Sequence, residues 1–190
     1  MLIYVGLDDT YNDTSRGTGR LARAIAEDLA KDHRLHGVTR HQLLVDDRIP
    51  YTSHNSSACV ILDVDEEVDL YTLMERVSTV MNADFQPGSD PGLCVASGVP
   101  RDVSNFGRKA QHEVVDQQTA RDLAAQHGIL LAGLGGSEGG VIGALAAVGL
   151  AALGDDGRYL LVGAAREMSG LQPVTAVIQA GIARVCDENG

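Results

Sequence analysis

The chain is short of cysteine, of cations and of long hydrophobic runs, and each shortage closes off a class of function. Its three cysteines, Cys59, Cys94 and Cys186, are scattered with no C-x-x-C pair, which fits neither a disulfide framework nor a zinc ribbon. Each is expected to be a small buried residue. Lys and Arg number 15 against 26 Asp and Glu, a formal net charge of −11. A dedicated nucleic-acid binder shows the opposite balance, so any RNA contact has to come from a local patch. The longest apolar run, from Val141 to Leu153, is too short to span a bilayer. The start, Met-Leu-Ile-Tyr-Val-Gly, lacks the basic segment and small-residue cleavage site of a signal peptide. A cytoplasmic protein with no membrane partner is expected.

What is present is enough for a sizeable core: 190 residues, 44% of them hydrophobic. Leu2 to Leu7 is short, β-rich and closed by Asp8 and Asp9, which predicts a buried strand delivering two carboxylates to its C-terminal edge. Adjacent acids followed by a flexible loop can hold a hard cation such as Mg²⁺ against a phosphate. The same residues can also serve as turn formers and helix caps.

From Thr18, Leu21, Ile25 and Leu29 recur at helical spacing while Arg20, Arg23, Glu27 and Lys31 fall elsewhere, predicting an amphipathic helix to about His33. Residues 38–45 read as a strand. The polar loop 50–57, with Thr52, His54 and Asn55, carries more hydrogen-bonding side chains than a connection needs. A strand over 58–64, a helix over 70–81, a strand over 93–96, a helix over 100–112, a helix over 117–127 capped by Asp116 and a strand over 129–134 follow. The pattern over 57–134 is close to a ferredoxin-like βαββαβ unit. The expected class is α+β, with 57–134 as that unit and 1–56 together with 135–190 as a second domain of α/β type.

The last third opens with a loop holding Gly135, Gly136, Ser137, Gly139 and Gly140, then an apolar helix. Backbone N–H groups there can face an anion with the helix dipole behind them. The loop is neither a Walker A sequence nor a GxGxxG, and close helix packing is the competing use of its glycines. Gly154-Asp155-Asp156-Gly157 reads as a turn, followed by a strand over 158–162.

Val5-Gly6-Leu7-Asp8-Asp9-Thr10 and Gly139-Gly140-Val141-Ile142-Gly143-Ala144-Leu145-Ala146-Ala147-Val148-Gly149 resemble the opening motif and glycine-rich helix of the agmatidine synthetase family. Asp90-Pro91-Gly92 and Glu113-Val114-Val115 run between them in the family's order. These archaeal enzymes use ATP to attach agmatine to a cytidine of an isoleucine tRNA. The resemblance implies a kinase-like domain beside a ferredoxin-like one and binding of ATP and Mg²⁺. It implies phosphorylation of a base carbonyl oxygen, then displacement of phosphate by an amine. It places Asp8 and Asp9 as metal and catalytic residues, Asp13 and Thr18 as catalytic positions, and Gly135, Gly136, Ser137, Gly139 and Gly140 at the nucleotide. Arg20, Thr52, His54 and Asn55 would face substrate.

The departures point elsewhere. Tyr11 and Asn12 follow Thr10, the family's threonine-rich helix start becomes Gly17-Thr18-Gly19, and its basic loop becomes Tyr51-Thr52-Ser53-His54-Asn55. The chain stops where the family continues into an OB-fold and a zinc ribbon. With −11 net charge, these departures favour an ATP- and Mg-dependent phosphotransferase or ligase-like enzyme acting on a small-molecule acceptor, and disfavour tRNA as a partner. The alternatives are a nucleotide-binding module without turnover, or a tRNA-modifying enzyme whose RNA-binding domains lie on a partner chain. The apolar C-terminal segment is a candidate homodimer face.

Overall fold

The computed structural model describes residues 1–10, 17–49, 55–65, 67–160, 162–182 and 184–186. Met1–Leu160 forms one compact unit and Leu161–Gly190 a second. The first unit is α+β, as the sequence predicts, and is built on a six-stranded antiparallel sheet. Its strands are β1 (Leu2–Asp8), β2 (Arg34–Gln42), β3 (Ser56–Asp63), β4 (Gly92–Ser97), β5 (Leu130–Gly133) and β6 (Arg158–Tyr159), in the spatial order β5-β4-β1-β3-β2-β6. Its helices are α1 (Thr18–Leu29), α2 (Leu70–Ala83), α3 (Arg101–His112), α4 (Gln117–Gln126) and α5 (Val141–Leu153).

β1 is the centre of the sheet. It pairs with β3 on one side and β4 on the other, so Gly6 lies opposite both Cys59 and Cys94. The strands of 1–56 and of 57–134 therefore share one sheet, with β1 between β3 and β4. Because side chains alternate along a strand, Tyr4, Gly6 and Asp8 face α5 while Ile3, Val5 and Leu7 face the other layer, where α1 and α2 pack. Residues 3–7 are buried throughout, as a strand covered on both sides requires.

α5 is apolar nearly all round because it is enclosed on most sides. It lies between the sheet and α3, and ten of its residues are buried. Burying Leu145 and Leu150 completely contributes about 1.5–3 kcal/mol each. Small residues let it sit close: a Cβ on Gly6 would lie 2.1 Å from the carbonyl oxygen of Ala144, and one on Gly149 would lie 2.3 Å from that of Val103. α5 ends where Gly154 turns left-handed, φ 74°.

Several boundaries differ from the sequence reading. β2 begins at Arg34 rather than 38, because its exposed edge residues pair with β3 regardless of their charge. It ends at Gln42, where Leu44 N–H turns away to the carbonyl of Ala110. Among the described residues of the strand expected over 158–162, β6 takes Arg158 and Tyr159. Cys59 and Cys94 are buried as expected, whereas Cys186 is exposed.

The second unit contains the short helices α6 (Ala164–Glu167) and α7 (Val174–Gln179), and none of its described residues is buried. No helix among the described residues is long and apolar enough to cross a membrane.

Candidate functional site

Asp8 is the last residue of β1 and lies opposite Gly92 of β4, on the face that α5 crosses. Two missing side chains bring these pieces together. A Cβ on Gly92 would lie 2.1 Å from the backbone of Gly140, the residue that precedes α5, and a Cβ on Gly143 would lie 1.7 Å from Asp8 Oδ2. The Asp8 carboxylate thus occupies the space beside the first turn of α5, near the positive end of that helix. Asp9 then leaves the strand with φ 47°, an uncommon conformation for a residue with a side chain.

The loop between β5 and α5 is tied to the segment before β4. Leu134 N–H donates to the Pro91 carbonyl (2.8 Å) and Gly140 N–H to the Asp90 carbonyl (2.9 Å). The Asp90 carboxylate accepts from Ser137 N–H (2.5 Å) and Ser137 Oγ (2.7 Å). Two of the loop's N–H groups are therefore already engaged by Asp90. What the loop offers an additional anion is the α5 dipole more than those two donors.

Asp8, Asp9, Asp90 and Glu113 line one cavity of about 210 Å³ together with Asn55, Ser56, Gln117, Ser137, Gly139, Gly140 and Gly143. Leu43, Ile49, Ala110, Val115 and Ile142 form its apolar wall, and no described Lys or Arg lines it. Burial pushes the Asp8 carboxyl up to about 7; the Asp9 N–H opposes this rise and the Asp9 charge adds to it. Burial also raises Asp9, reinforced by the charge of Asp90 and opposed by its backbone hydrogen bond. Neither Asp8 nor Asp9 is ion-paired among the described residues.

Desolvated carboxylates without a cationic partner suit a bound cation. Among the described residues, no group of three or more His, Cys, Asp or Glu side chains is arranged to hold a metal. An ion here would take oxygens from Asp8 and Asp9 and complete its shell with phosphate and water, a donor set that fits Mg²⁺.

The structure places Asp8, Asp9, Asn55, Ser137, Gly139 and Gly140 on this cavity. Gly135 and Gly136 belong to the same loop, Gly135 against the Phe85 ring and Gly136 against Asp90. Thr18 is not brought in: its buried hydroxyl accepts from Thr10 Oγ1 at 3.2 Å. Arg20 is exposed and pairs with Asp84 at 3.9 Å, again off the cavity. Asp13, Thr52 and His54 lie outside the described residues. Asp90, Ser56, Glu113 and Gln117 were not expected from the sequence. The glycine after Pro91 was the available signal for Asp90, since it permits the backbone approach that fixes the neighbouring acid beside the loop.

No protein-family model matches the chain. A curated relative, the isoleucine-tRNA 2-agmatinylcytidine synthetase TiaS of Cenarchaeum symbiosum (strain A), is 27% identical over 152 residues, 77% of this chain and 33% of the relative. The chain is similar to part of a TiaS. Among solved structures, a tRNA fluorescent labeling enzyme shares 25% identity with a TM-score of 0.68, covering 78% of this chain and 36% of the other. A TiaS in complex with an isoleucine tRNA and ATP shares 24% identity with a TM-score of 0.68, over 78% of this chain and 36% of that one. The last likeness is one of fold. The chain spans about a third of the length of the TiaS relatives it matches.

These relatives correct one expectation. The departures from the family's pattern together with the net charge disfavoured tRNA as a partner, yet the TiaS relative is a tRNA-modifying enzyme by name and a solved TiaS holds an isoleucine tRNA. Net charge sums the whole surface, whereas phosphate contacts need only a few cations in one place.

Proposed function

We propose that this chain is the ATP-binding, catalytic part of a ligase-like enzyme that modifies a nucleotide of a tRNA. The observation that carries the reading is the position of Asp8, whose carboxylate fills the space left by Gly143 beside the first turn of α5. A half-buried carboxylate with no cation partner among the described residues is costly for a merely structural acid. The named activity of the TiaS relative and the ATP-bound TiaS neighbour support the choice of nucleotide and acceptor.

In this reading Asp8 and Asp9 hold a divalent ion, Mg²⁺ by donor chemistry, and the α5 terminus faces the phosphates. When bound, the ion neutralises charge that develops on the phosphates during transfer. Asp90 holds Ser137 and Gly140 in place, and Leu43, Ile49 and Ile142 give the cavity an apolar wall. Phosphoryl transfer to a base carbonyl oxygen and displacement by an amine is the sequence of steps the resemblance implies.

A second reading, nucleotide binding without turnover, is favoured by Thr18, whose hydroxyl is spent on Thr10 away from the cavity. Both are tested on the full chain. ATP with Mg²⁺ should raise the melting temperature, tRNA should stimulate ATP consumption, and Asp8→Asn should abolish both. No shift with ATP and Mg²⁺ in the wild type would end both readings; a shift without tRNA-stimulated consumption would leave the second.

A further inference from the structure

We propose that Ser57 is a positioning residue for Asp8: its hydroxyl donates a hydrogen bond to the Asp8 carboxylate once a divalent ion is bound there. The inference rests on the reading that Asp8 holds such an ion, and it adds a residue that lies behind the cavity wall.

Ser57 is fully buried, yet its Oγ has no hydrogen-bond partner. A buried hydroxyl left unpaired is destabilising, and alanine would fill most of the same space without that cost. A serine kept in such a place calls for a use. The serine beside it is already occupied: Ser56 Oγ accepts from Arg40 Nε at 2.9 Å.

The strand register supplies the use. β3 lies between β2 and β1, so Ser57 has a neighbour on each side. On β2 its direct partner is His41. On β1 the last paired couple is Leu7 with Ala58, and one further step sets Ser57 against Asp8, the final residue of that strand. Side chains alternate along a strand. Ser57 therefore shares a face with Cys59, which lies opposite Gly6, and this is the face on which the Asp8 carboxylate sits beside Gly143. Direct cross-strand neighbours have Cβ atoms about 4.5–5.5 Å apart, a gap that a serine and an aspartate span with one hydrogen bond.

Of the two neighbours, Asp8 is the one with capacity to accept. His41 has both ring nitrogens engaged, Nδ1 with Asp156 Oδ2 at 2.8 Å and Nε2 with Thr39 Oγ1 at 2.9 Å. A carboxylate offers about four acceptor sites, and the Asp9 N–H acts on Asp8 at one of them. An ion drawn to one Asp8 oxygen from the cavity leaves the other turned toward the sheet. A hydroxyl behind that oxygen fixes the rotation of the carboxylate and so the place of the ion.

The test uses the full chain as wild type, Ser57→Ala and Ser57→Cys, the last keeping a side chain of similar size with a much weaker donor. Stability without ligand is read from the urea midpoint, and affinity for ATP with Mg²⁺ from calorimetric titration. Expected is a Ser57→Ala midpoint at or above that of wild type, with affinity weakened about tenfold in both variants, as for one lost hydrogen bond to a charged group. A lower Ser57→Ala midpoint without ligand overturns the inference, because the hydroxyl would then serve the fold itself. Wild-type affinity in Ser57→Ala overturns it and leaves the ion reading of Asp8 standing. Weakening in Ser57→Ala but not in Ser57→Cys also overturns it, since side-chain volume rather than the donor would be responsible. A wild type that does not bind ATP with Mg²⁺ ends the ion reading and this inference with it.

Discussion

Gly143 and Asp8 exclude each other's side-chain space: a Cβ on Gly143 would lie 1.7 Å from Asp8 Oδ2 and 2.4 Å from Cγ. Gly143→Ala should therefore expel the carboxylate from the first turn of α5 while favouring the helix itself by up to about 1 kcal/mol. The expected result is a folded protein whose melting temperature no longer responds to ATP and Mg²⁺. A ligand response equal to wild type would show that Asp8 is not held there for binding.

Gly6 makes the contrasting case, because its close neighbour is main chain. A Cβ there would meet the Ala144 carbonyl oxygen at 2.1 Å, and neither β1 nor α5 can yield without moving the core. Gly6→Ala should cost at least about 1–3 kcal/mol, read as a lower urea midpoint with an unchanged slope.

Asp90 anchors the β5–α5 loop with its carboxylate on Ser137. Asp90→Ala leaves the Ser137 N–H without that acceptor and should lower stability by about 1–3 kcal/mol. It should also weaken ATP binding by loosening the loop. Ser137→Ala removes only the hydroxyl contact and should cost about 0.5–1.5 kcal/mol. Equal losses in the two variants, measured by chemical denaturation, would contradict the anchoring role.

A buried histidine gives a pH dependence. His41 is fully buried, with Nε2 at 2.9 Å from Thr39 Oγ1 and Nδ1 at 2.8 Å from Asp156 Oδ2. Asp156 also accepts from Gln111 and Arg108. Burial lowers the His41 pKa below its ordinary 6.5, against the pull of Asp156 and with the help of Arg108. The unfolded chain then binds the proton more readily, so stability is fully present above about 6.5 and falls as the pH drops through the folded pKa. Asp8 and Asp9, whose folded pKa values are raised, contribute in the opposite sense over the same range in both proteins, so the test is the difference: from pH 7 to 5 the urea midpoint of the wild type should fall relative to that of His41→Gln. Parallel losses would place the acid sensitivity elsewhere.

Much of the framework was readable because it is local. Asp116 followed by Gln117 marks a cap, and its side chain does accept from Thr119 N–H at 2.7 Å. The 3.6-residue spacing of Leu21, Ile25 and Leu29 marks the buried face of α1. Asp155 and Asp156 read as turn residues, and the turn is there, but Asp156 also serves His41, 115 residues away in sequence. No local pattern carries that pairing.

The sequence by itself determined the strand that ends in Asp8 and Asp9, the apolar helix behind a glycine loop and the α+β class, because hydrophobic period and capping chemistry act over a few residues. Only the tertiary structure decided that β1 lies between β3 and β4, that α5 crosses it with Gly143 over Asp8, and that His41 meets Asp156. Those facts depend on which strands pair and in what register, and register is fixed by long-range packing, where a one-residue slip would turn every side chain to the other face.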